Sequence, residues 1–446
     1  MSAQCCILAA AFLLFRLPYY CDALSCSSGQ CQLREVCTSS VDCGGGLFCS
    51  SCAADGDTTN TCHRYKATNV TSISGGLPFN KYSWLTTHNS FSIVGEPSQT
   101  GPRVTFYNQE DSVTDQLNNG VRGFMLDMYD FLGDIWLCHS FGGVCYNYTA
   151  FEPAINTLKE MEAFLVANPT EIITIFIEDY VTRTQGLTSL FTAAGLTEYW
   201  FPVSSMPKDG GDWPTITEMI AKNYRMLVFT SNRTKEASEG VAYNWRYVNE
   251  NQYGDGGMQE GNCSNRAESL VLNASSQSLV LMNFFPTNPV QDQACTYNSA
   301  PLLQMLPFCY SAAGRRWPNY LAVDFYKRSD GGGVLAALDK ANAGLICGCS
   351  DISSCKLNLS YGVCPTNTSA SSTPSASDSS VQSSSAVPPP PAPMDPSLNS
   401  RGAQNRCNFY ILLLQAFAVV ACQSIFTCKT LISAKKFMMI LLVKGC

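Results

Sequence analysis

The sequence predicts an α/β fold of the (β/α)8 TIM-barrel type, with a disulfide-rich N-terminal module before the barrel and a disordered Ser/Pro-rich stalk after it. Continuous apolar runs at 84–89, 121–130, 135–139 and 172–179 each end in polar side chains, as buried parallel strands do. These runs alternate with helix-like segments between residues 70 and 346, which favours a parallel sheet covered by helices. The length of this region suits a single barrel.

Residues 1–23 predict a secretory signal peptide. An apolar stretch runs from Cys5 to Phe15, and Ala23 provides a cleavage point. The stretch departs from the usual pattern because no Lys or Arg precedes it and Arg16 interrupts it. Seven Asn-x-Ser/Thr sequons support an extracellular route. They begin at Asn69, Asn147, Asn232, Asn262, Asn273, Asn358 and Asn367.

Cysteine usage predicts a disulfide framework, with most of the cysteines in an N-terminal and a C-terminal cluster. Sixteen of the 23 cysteines fall between residues 24 and 399, and an even number in a secreted chain fits a disulfide framework. The N-terminal module, residues 24–65, is too short to build its own core without such bonds. Residues 347–366 form the C-terminal cluster. Zinc is the alternative, because Cys49 and Cys52 have a suitable spacing, but no second pair follows them.

Within the predicted barrel, residues 70–346, one helix and three further strands stand out. Apolar side chains recur at helical spacing between residues 152 and 167, and Pro169 follows them. The further strand candidates are 225–230, 279–284 and 320–325.

The C-terminal part predicts a stalk and an attachment signal. Residues 367–400 are rich in Ser, Thr, Ala and Pro, which is typical of a stalk. Residues 401–446 contain an apolar run from 409 to 426, which resembles a glycosylphosphatidylinositol (GPI) attachment signal. A single transmembrane anchor is the alternative, since the chain continues through a second apolar patch at 437–443. Either anchor predicts a place at the extracellular face of the plasma membrane.

Two of the three histidines are the strongest candidates for chemistry. His88 and His139 each follow an apolar run, and polar residues at the carboxyl ends of barrel strands converge on one mouth. An imidazole titrates near neutral pH and can act as an acid or a base. The alternative is that both only satisfy local hydrogen bonds. His63 lies in the N-terminal module, where we expect a structural role.

Four motifs carry a resemblance to a known family. They are Thr87-His88-Asn89-Ser90-Phe91, Gly120-Val121-Arg122-Gly123-Phe124-Met125-Leu126-Asp127, Leu137-Cys138-His139 and Ile177-Glu178-Asp179. Their order and separations resemble the X domain of phosphatidylinositol-specific phospholipase C enzymes over residues 75–345. The N-terminal module, the stalk and the tail resemble those of a plant-type extracellular branch of this superfamily. The resemblance implies that one histidine assists attack on phosphorus and that the other protonates the leaving oxygen.

The resemblance also implies a Ca²⁺ site. Animal-type enzymes bind Ca²⁺ at positions that correspond to Asn89, Met125, Asp127 and Glu178, of which three are oxygen ligands here. Met125 is a departure, because a thioether is a poor ligand for Ca²⁺. Bacterial-type enzymes place an arginine near Asp127 instead, so their metal-free route is not predicted. The alternative is that Asp127 and Glu178 only orient the histidines or Arg122.

Three more residues are candidates for the site. Asp324 ends the run 320–324, where its carboxylate could pair with His88 and set its tautomer, or could simply follow a barrel-closing strand. Arg122 and Lys327 are candidate contacts to the phosphate or headgroup, although Arg122 also suits a structural salt bridge. The glycines at 331–333 could present amides to a phosphate or form a flexible turn.

Charge and absent motifs narrow the function. A net charge of −7 argues against a nucleic-acid partner. The sequence contains no P-loop, HExxH or GxSxG motif. We therefore expect a phosphoric diester hydrolase that acts on a lipid or glycerol phosphodiester. The alternatives are a hydrolase of soluble glycerophosphodiesters and a catalytically weak cell-surface binding protein. The sequence assigns no oligomeric state.

Overall fold

The computed structural model describes residues 26–365, apart from residues 27, 75, 357 and 358. The predicted signal peptide at 1–23, the stalk at 367–400 and the tail at 401–446 lie outside the described residues. Within the described part of the chain, no helix is both long enough and apolar enough to cross a membrane.

Strands and helices alternate along most of the described chain. The strands are β1 Leu47–Ser50, β2 Thr61–Arg64, β3 Trp84–Thr87, β4 Val121–Phe131, β5 Asp134–Cys138, β6 Ala150–Pro153, β7 Ile173–Tyr180, β8 Met226–Thr230, β9 Ala242–Tyr243, β10 Val248–Glu250, β11 Leu279–Asn283 and β12 Tyr320–Val323. The helices are α1 Thr71–Ser74, α2 Val113–Asn118, α3 Ala154–Ala167, α4 Gly186–Ala194, α5 Ile216–Ala221, α6 Thr234–Glu239, α7 Asn244–Tyr247, α8 Ala294–Tyr297, α9 Ala300–Ala312 and α10 Gly333–Ile346.

Eight parallel strands form the predicted TIM-type barrel. Their order is β10-β11-β12-β3-β4-β7-β8-β9, so neighbours in space are also neighbours in the succession of barrel strands. The last barrel strand, β12, pairs with the first, β3. Among the described residues, no ladder joins β9 to β10, and the sheet is open at that point. The short helix α7 connects these two strands.

The barrel strands bury side chains on both faces, as a parallel sheet covered by helices requires. Leu85, Phe124 and Ile175 belong to the core between the sheet and the helices. Their strand neighbours Trp84 and Phe176 belong to the core inside the barrel. This alternation explains why the sequence shows continuous apolar runs instead of a half-polar pattern.

The run that ends at His139 is not a barrel strand, which corrects the prediction for 135–139. Strand β4 spans 11 residues and continues past the barrel, turns at Leu132 and Gly133 with positive φ angles, and pairs antiparallel with β5. The pairing of Met128 with Leu137 returns the chain to the barrel mouth shortly before His139. The hairpin therefore places His139 where a parallel strand was predicted to place it.

The disulfide prediction is confirmed. The eight disulfides are Cys26–Cys31, Cys37–Cys49, Cys43–Cys62, Cys52–Cys295, Cys138–Cys145, Cys263–Cys309, Cys347–Cys355 and Cys349–Cys364. Because Cys49 and Cys52 are both bonded to other cysteines, they cannot form the alternative zinc site. The Cys52–Cys295 bond spans 243 residues and ties the N-terminal module covalently to the barrel.

Candidate active site

A cleft at the carboxyl ends of the barrel strands gathers most of the predicted site residues. Its volume is about 220 Å³. His88, Asn89, Asp127, His139 and Glu178 all line it, although they come from four separate stretches of sequence. The parallel strands and the β4–β5 hairpin thus converge on one mouth, as catalytic residues of barrel enzymes do.

His88 is held by a buried carboxylate. Its Nδ1 lies 2.9 Å from Oδ1 of Asp324, whose side chain is only 3% exposed. The Asn108 amide donates to the same oxygen at 2.9 Å. We assign the imidazole proton to Nδ1, because a carboxylate can only accept there. The predicted contact is present, and it leaves Nε2 of His88 as the atom free to exchange a proton.

Packing restricts the His88 ring further. The ring stacks on Phe285, with centroids 3.7 Å apart and planes 7° apart. The His88 backbone amide donates to the Val323 carbonyl at 3.1 Å, and the Gln109 side chain donates to the His88 carbonyl at 2.8 Å. These contacts fix both the backbone and the ring, so His88 has little freedom to rotate away from the cleft.

His139 has a different environment. Its Nδ1 lies 3.1 Å from the Phe106 carbonyl, so this nitrogen donates and Nε2 is again the free atom. The Thr105 hydroxyl donates to the His139 carbonyl at 2.7 Å. Burial and the nearby His88 together lower the pKa of the His139 imidazole below its ordinary value. The two histidines are thus distinct: one is backed by a carboxylate and the other by a carbonyl.

Two carboxylates lie side by side in the cleft. Asp127 of β4 is in register with Glu178 of β7. Burial, and then the charge of Glu178, raise the pKa of the Asp127 carboxyl well above its usual range. The Tyr180 hydroxyl donates to Glu178. Two adjacent carboxylates favour either a shared proton or a bound cation.

The Arg266 guanidinium supplies a positive charge near these carboxylates. Glu250 is 2% exposed, and it accepts hydrogen bonds from Trp245 Nε1 at 2.7 Å and from Arg266 at 3.3 Å. The Arg266 guanidinium lies over the rings of Trp245 and Tyr253, at 5.0 and 4.7 Å. Arg266 lines the cleft, and its charge opposes the rise in the pKa of Asp127.

A family model described as PI-PLC X matches residues 78–339. This chain belongs to the PI-PLC X family. It is 56% identical over 364 residues to a PI-PLC X domain-containing protein of Arabidopsis thaliana, covering 81% of this chain and 85% of that protein. It is 27% identical over 165 residues to PI-PLC X domain-containing protein 1 of Arthroderma benhamiae, covering 35% of this chain and 48% of that protein.

A solved structure in the comparison is a phosphatidylinositol-specific phospholipase C from Listeria monocytogenes. It has 17% sequence identity to this chain, a TM-score of 0.39, and coverage of 57% of this chain and 92% of that chain. The family model and the Arabidopsis thaliana relative confirm, at the level of the family, the resemblance predicted from the four motifs.

Three oxygen-bearing side chains of the PI-PLC X cleft have the chemistry that a hard cation prefers, although they would supply only part of its coordination shell. Asn89 is 2% exposed, and it lines the cleft together with Asp127 and Glu178. No described residue donates a hydrogen bond to the Asp127 carboxylate, which leaves its oxygens available as ligands. Met125, two residues before Asp127, also lines the cleft. Ca²⁺ takes six to eight oxygens, so water and substrate would have to supply the rest.

Arg122 is not a substrate contact in this PI-PLC X domain. It is the second residue of β4, at the opposite end of the strand from the cleft, and it forms a salt bridge with Glu171 at 2.8 Å. Its guanidinium also donates to the Leu117 carbonyl at 2.7 Å. We correct the prediction of a phosphate contact in favour of the structural alternative.

The prediction that Lys327 contacts the phosphate or headgroup is also corrected. Its ammonium group lies 2.5 Å from Asp111 and 5.7 Å from the centre of the Phe48 ring in the N-terminal module. It does not line the cleft, although it follows a barrel strand. The glycines nearby also face the module, because the Arg64 amide donates to the Gly331 carbonyl at 3.4 Å. These contacts favour the turn that was the alternative to a phosphate site.

Sequence reasoning missed Arg266 and Phe285. Arg266 lies between β10 and β11, in a stretch without strand or helix periodicity, so no signal identified it. Phe285 directly follows a predicted strand, the same position that singled out His88. That position is a usable signal, although an apolar ring at a strand end carries no chemistry that marks it as part of the site.

Proposed function

We propose that the protein is a phosphoric diester hydrolase that acts on a lipid or glycerol phosphodiester. The observation that supports the proposal is the pair of fixed imidazoles in one cleft, each with its Nδ1 occupied and its Nε2 free. Two groups that exchange protons from separate positions suit a displacement at phosphorus, in which one oxygen loses a proton and another gains one.

In the proposed step, His88 is the general base. Its Nε2 removes the proton of the attacking hydroxyl while that oxygen bonds to phosphorus. Asp324 then stabilises the imidazolium that forms. His139 is the general acid, and its Nε2–H gives a proton to the leaving oxygen as the phosphorus–oxygen bond breaks. A bound phosphodiester anion offsets the burial that lowers the pKa of His139, and so favours its protonated form in the complex.

The other polar groups of the cleft would bind the negatively charged phosphodiester and the headgroup. Arg266 presents a cation to the phosphodiester. Asn244 and Asn283 line the cleft, and each has a buried Oδ1 without a hydrogen-bond partner among the described residues. Unpartnered acceptors suit the hydroxyl donors of a hydroxylated headgroup.

We propose that Ca²⁺ binds at Asn89, Asp127 and Glu178. The ion would act as a Lewis acid on a phosphoryl oxygen when bound. A second function remains a candidate because of Met125. A thioether where related enzymes supply an oxygen weakens such a site, which favours a catalytically weak binding protein on the same barrel.

We also propose that the protein acts in the secretory pathway and at the extracellular face of the plasma membrane. The eight disulfides support an oxidising compartment. The GPI anchor and its transmembrane alternative stay predictions, because residues 401–446 lie outside the described residues.

The test is an assay of the full chain from a secretory host on phosphatidylinositol, a lysophospholipid and a glycerophosphodiester. We expect turnover of at least one substrate and a loss of roughly 100-fold or more in His88→Ala and in His139→Ala. Asn342→Ala is the control, since Asn342 is buried at the opposite end of the barrel, where it bridges the backbone groups of Ser83. Turnover that survives in both cleft variants contradicts the mechanism. Inositol phosphate binding without any turnover supports the binding protein instead.

A further inference from the structure

The Asp324 loop, residues 324–333, connects the surroundings of His88 with the N-terminal module. At one end it carries the carboxylate that holds His88. At the other end the module contacts it directly. The Arg64 amide donates to the Gly331 carbonyl at 3.4 Å, and Arg34 pairs with Asp330 at 3.4 Å. The module therefore lies against the segment that presents Asp324.

A buried asparagine fixes the start of this loop. Asn298 is 2% exposed, and its Nδ2 donates to the backbone carbonyls of Asp324 at 2.9 Å and Phe325 at 3.2 Å. Phe325 has a φ of 46°, a left-handed conformation that is rare for a bulky residue. Such backbone persists only where surrounding contacts hold it. Asn298 supplies two of those contacts, one at Asp324 and one at Phe325.

Asn298 is itself held by the N-terminal module. It directly follows helix α8, which contains Cys295, and Cys295 is bonded to Cys52 of the module. The Thr296 hydroxyl in the same helix donates to Asp55 of the module at 2.7 Å. A covalent bond and a hydrogen bond thus fix the helix that directly precedes Asn298.

We propose that Asn298 is a positioning residue for Asp324, and that the Cys52–Cys295 disulfide makes the N-terminal module part of the catalytic apparatus. The inference rests on the proposed function for its kinetic consequence. The disulfide holds α8, α8 holds Asn298, and Asn298 holds the backbone from which the Asp324 carboxylate reaches His88. The module thereby acts on the reaction without touching the substrate.

The first test observes the His88–Asp324 bond directly. The full chain contains three histidines, so imidazole N–H signals from ¹⁵N-histidine-labelled protein can be assigned by His→Ala substitution. We expect a protected, downfield His88 Nδ1 proton in the wild type, because it is bonded to a buried carboxylate. We expect Asn298→Ala to broaden this signal by faster exchange with solvent.

The second test is kinetic. We expect Asn298→Ala to lower kcat roughly tenfold with KM within about twofold, since the base is mispositioned while the binding groups are intact. Asn342→Ala is the matched control. Asn342 is equally buried and also bridges backbone groups, those of Ser83, but at the opposite end of the barrel. It should lower stability and leave both kcat and the His88 proton unchanged.

The third test separates the module from the asparagine. We expect Cys52→Ser/Cys295→Ser to broaden the His88 proton and lower kcat, and Cys347→Ser/Cys355→Ser, a distant disulfide, to do neither. If the His88 Nδ1 proton signal of Asn298→Ala is the same as in the wild type, Asn298 has no positioning role. If the signal of Cys52→Ser/Cys295→Ser is the same as in the wild type, the module has no such role. If the wild type turns over no substrate, the proposed function fails, yet the proton signals still decide the positioning.

Discussion

Asp324 is the residue on which the chemistry of His88 depends. Asp324→Asn keeps the shape but replaces the carboxylate with a neutral amide, which has no negative charge to stabilise an imidazolium. We expect kcat to fall roughly 100-fold or more, measured on whichever phosphodiester the wild type cleaves. Asp212→Asn is the control, since Asp212 pairs with Lys81 at 3.1 Å outside the cleft. Equal rates for both variants would show that Asp324 only closes the barrel.

His63 should control part of the pH dependence of stability. It is 2% exposed, its Nδ1 has no hydrogen-bond partner among the described residues, and burial lowers the pKa of its imidazole. Below the ordinary histidine pKa near 6.5, the unfolded chain binds the proton and the folded chain resists it. Stability is therefore lost as pH falls from about 6.5 toward the folded-state pKa.

The measurement is the unfolding temperature of wild type and His63→Gln between pH 7.5 and 5. We expect the decline on acidification to be shallower in the variant, because a neutral amide binds no proton. His139 contributes a decline of the same sign, since its pKa is also lowered, so some slope should remain. Parallel slopes for the two proteins would show that His63 does not titrate differently on folding.

At the scale of elements, the approach of β3 to β4 positions both sides of the cleft. A Cβ added at Gly123 of β4 would lie 2.9 Å from the Cβ of Thr86 on β3, closer than side chains pack. We expect Gly123→Ala to destabilise the fold by about 1–3 kcal/mol and to lower activity, because β3 leads to His88 and β4 carries Asp127.

Urea unfolding and the phosphodiester assay check this prediction together. Gly45→Ala is the control, because a Cβ at Gly45 meets nothing within 4 Å. A Gly123→Ala protein as stable as the control would mean that the strands separate without cost. Loss of activity in the control would show instead that the module tolerates no change.

The elements also show what local sequence could and could not predict. Runs such as 121–130 and 172–179 predict strands because a parallel strand that is buried on both faces is apolar at most of its positions. Strands β9 and β10 are only two and three residues long, too short for any periodicity. The run ending at His139 looked like a barrel strand because apolar content does not encode strand direction, which the turn at Leu132 and Gly133 decides.

At the scale of the whole molecule, the barrel explains why part of the site was predictable. His88 and Asp324 lie just after strands, and the fold brings strand ends together. Arg122 lies at the start of its strand, and its position already argued for the opposite end of the barrel. Arg266 reaches the cleft from a long connection, and Lys327 turns toward the N-terminal module, so tertiary contacts alone determine their places.

The metal proposal is tested by the stability of the whole protein, without any assay of activity. A ligand that binds only the folded state raises the unfolding temperature by mass action. We expect saturating Ca²⁺ to raise it by about 2–5 °C in the wild type and not in Asp127→Asn. Without Ca²⁺, Asp127→Asn should be the more stable protein. A neutral amide at this buried position avoids the unfavourable burial and the repulsion from Glu178 that raise the pKa of Asp127.

Met125→Glu gives this proposal its sharpest test, because it predicts a gain. Met125 lines the cleft beside Asn89, Asp127 and Glu178, and a carboxylate there would add a hard oxygen ligand to the three present. We expect roughly tenfold tighter Ca²⁺ binding by calorimetry, and lower stability without Ca²⁺, since a third carboxylate adds repulsion. Met125→Leu is the matched control, because leucine is similar in size and adds neither an oxygen ligand nor a charge. If Met125→Glu binds no more Ca²⁺ than the wild type, these residues do not form a cation site, and Arg266 is left as the cation of the cleft.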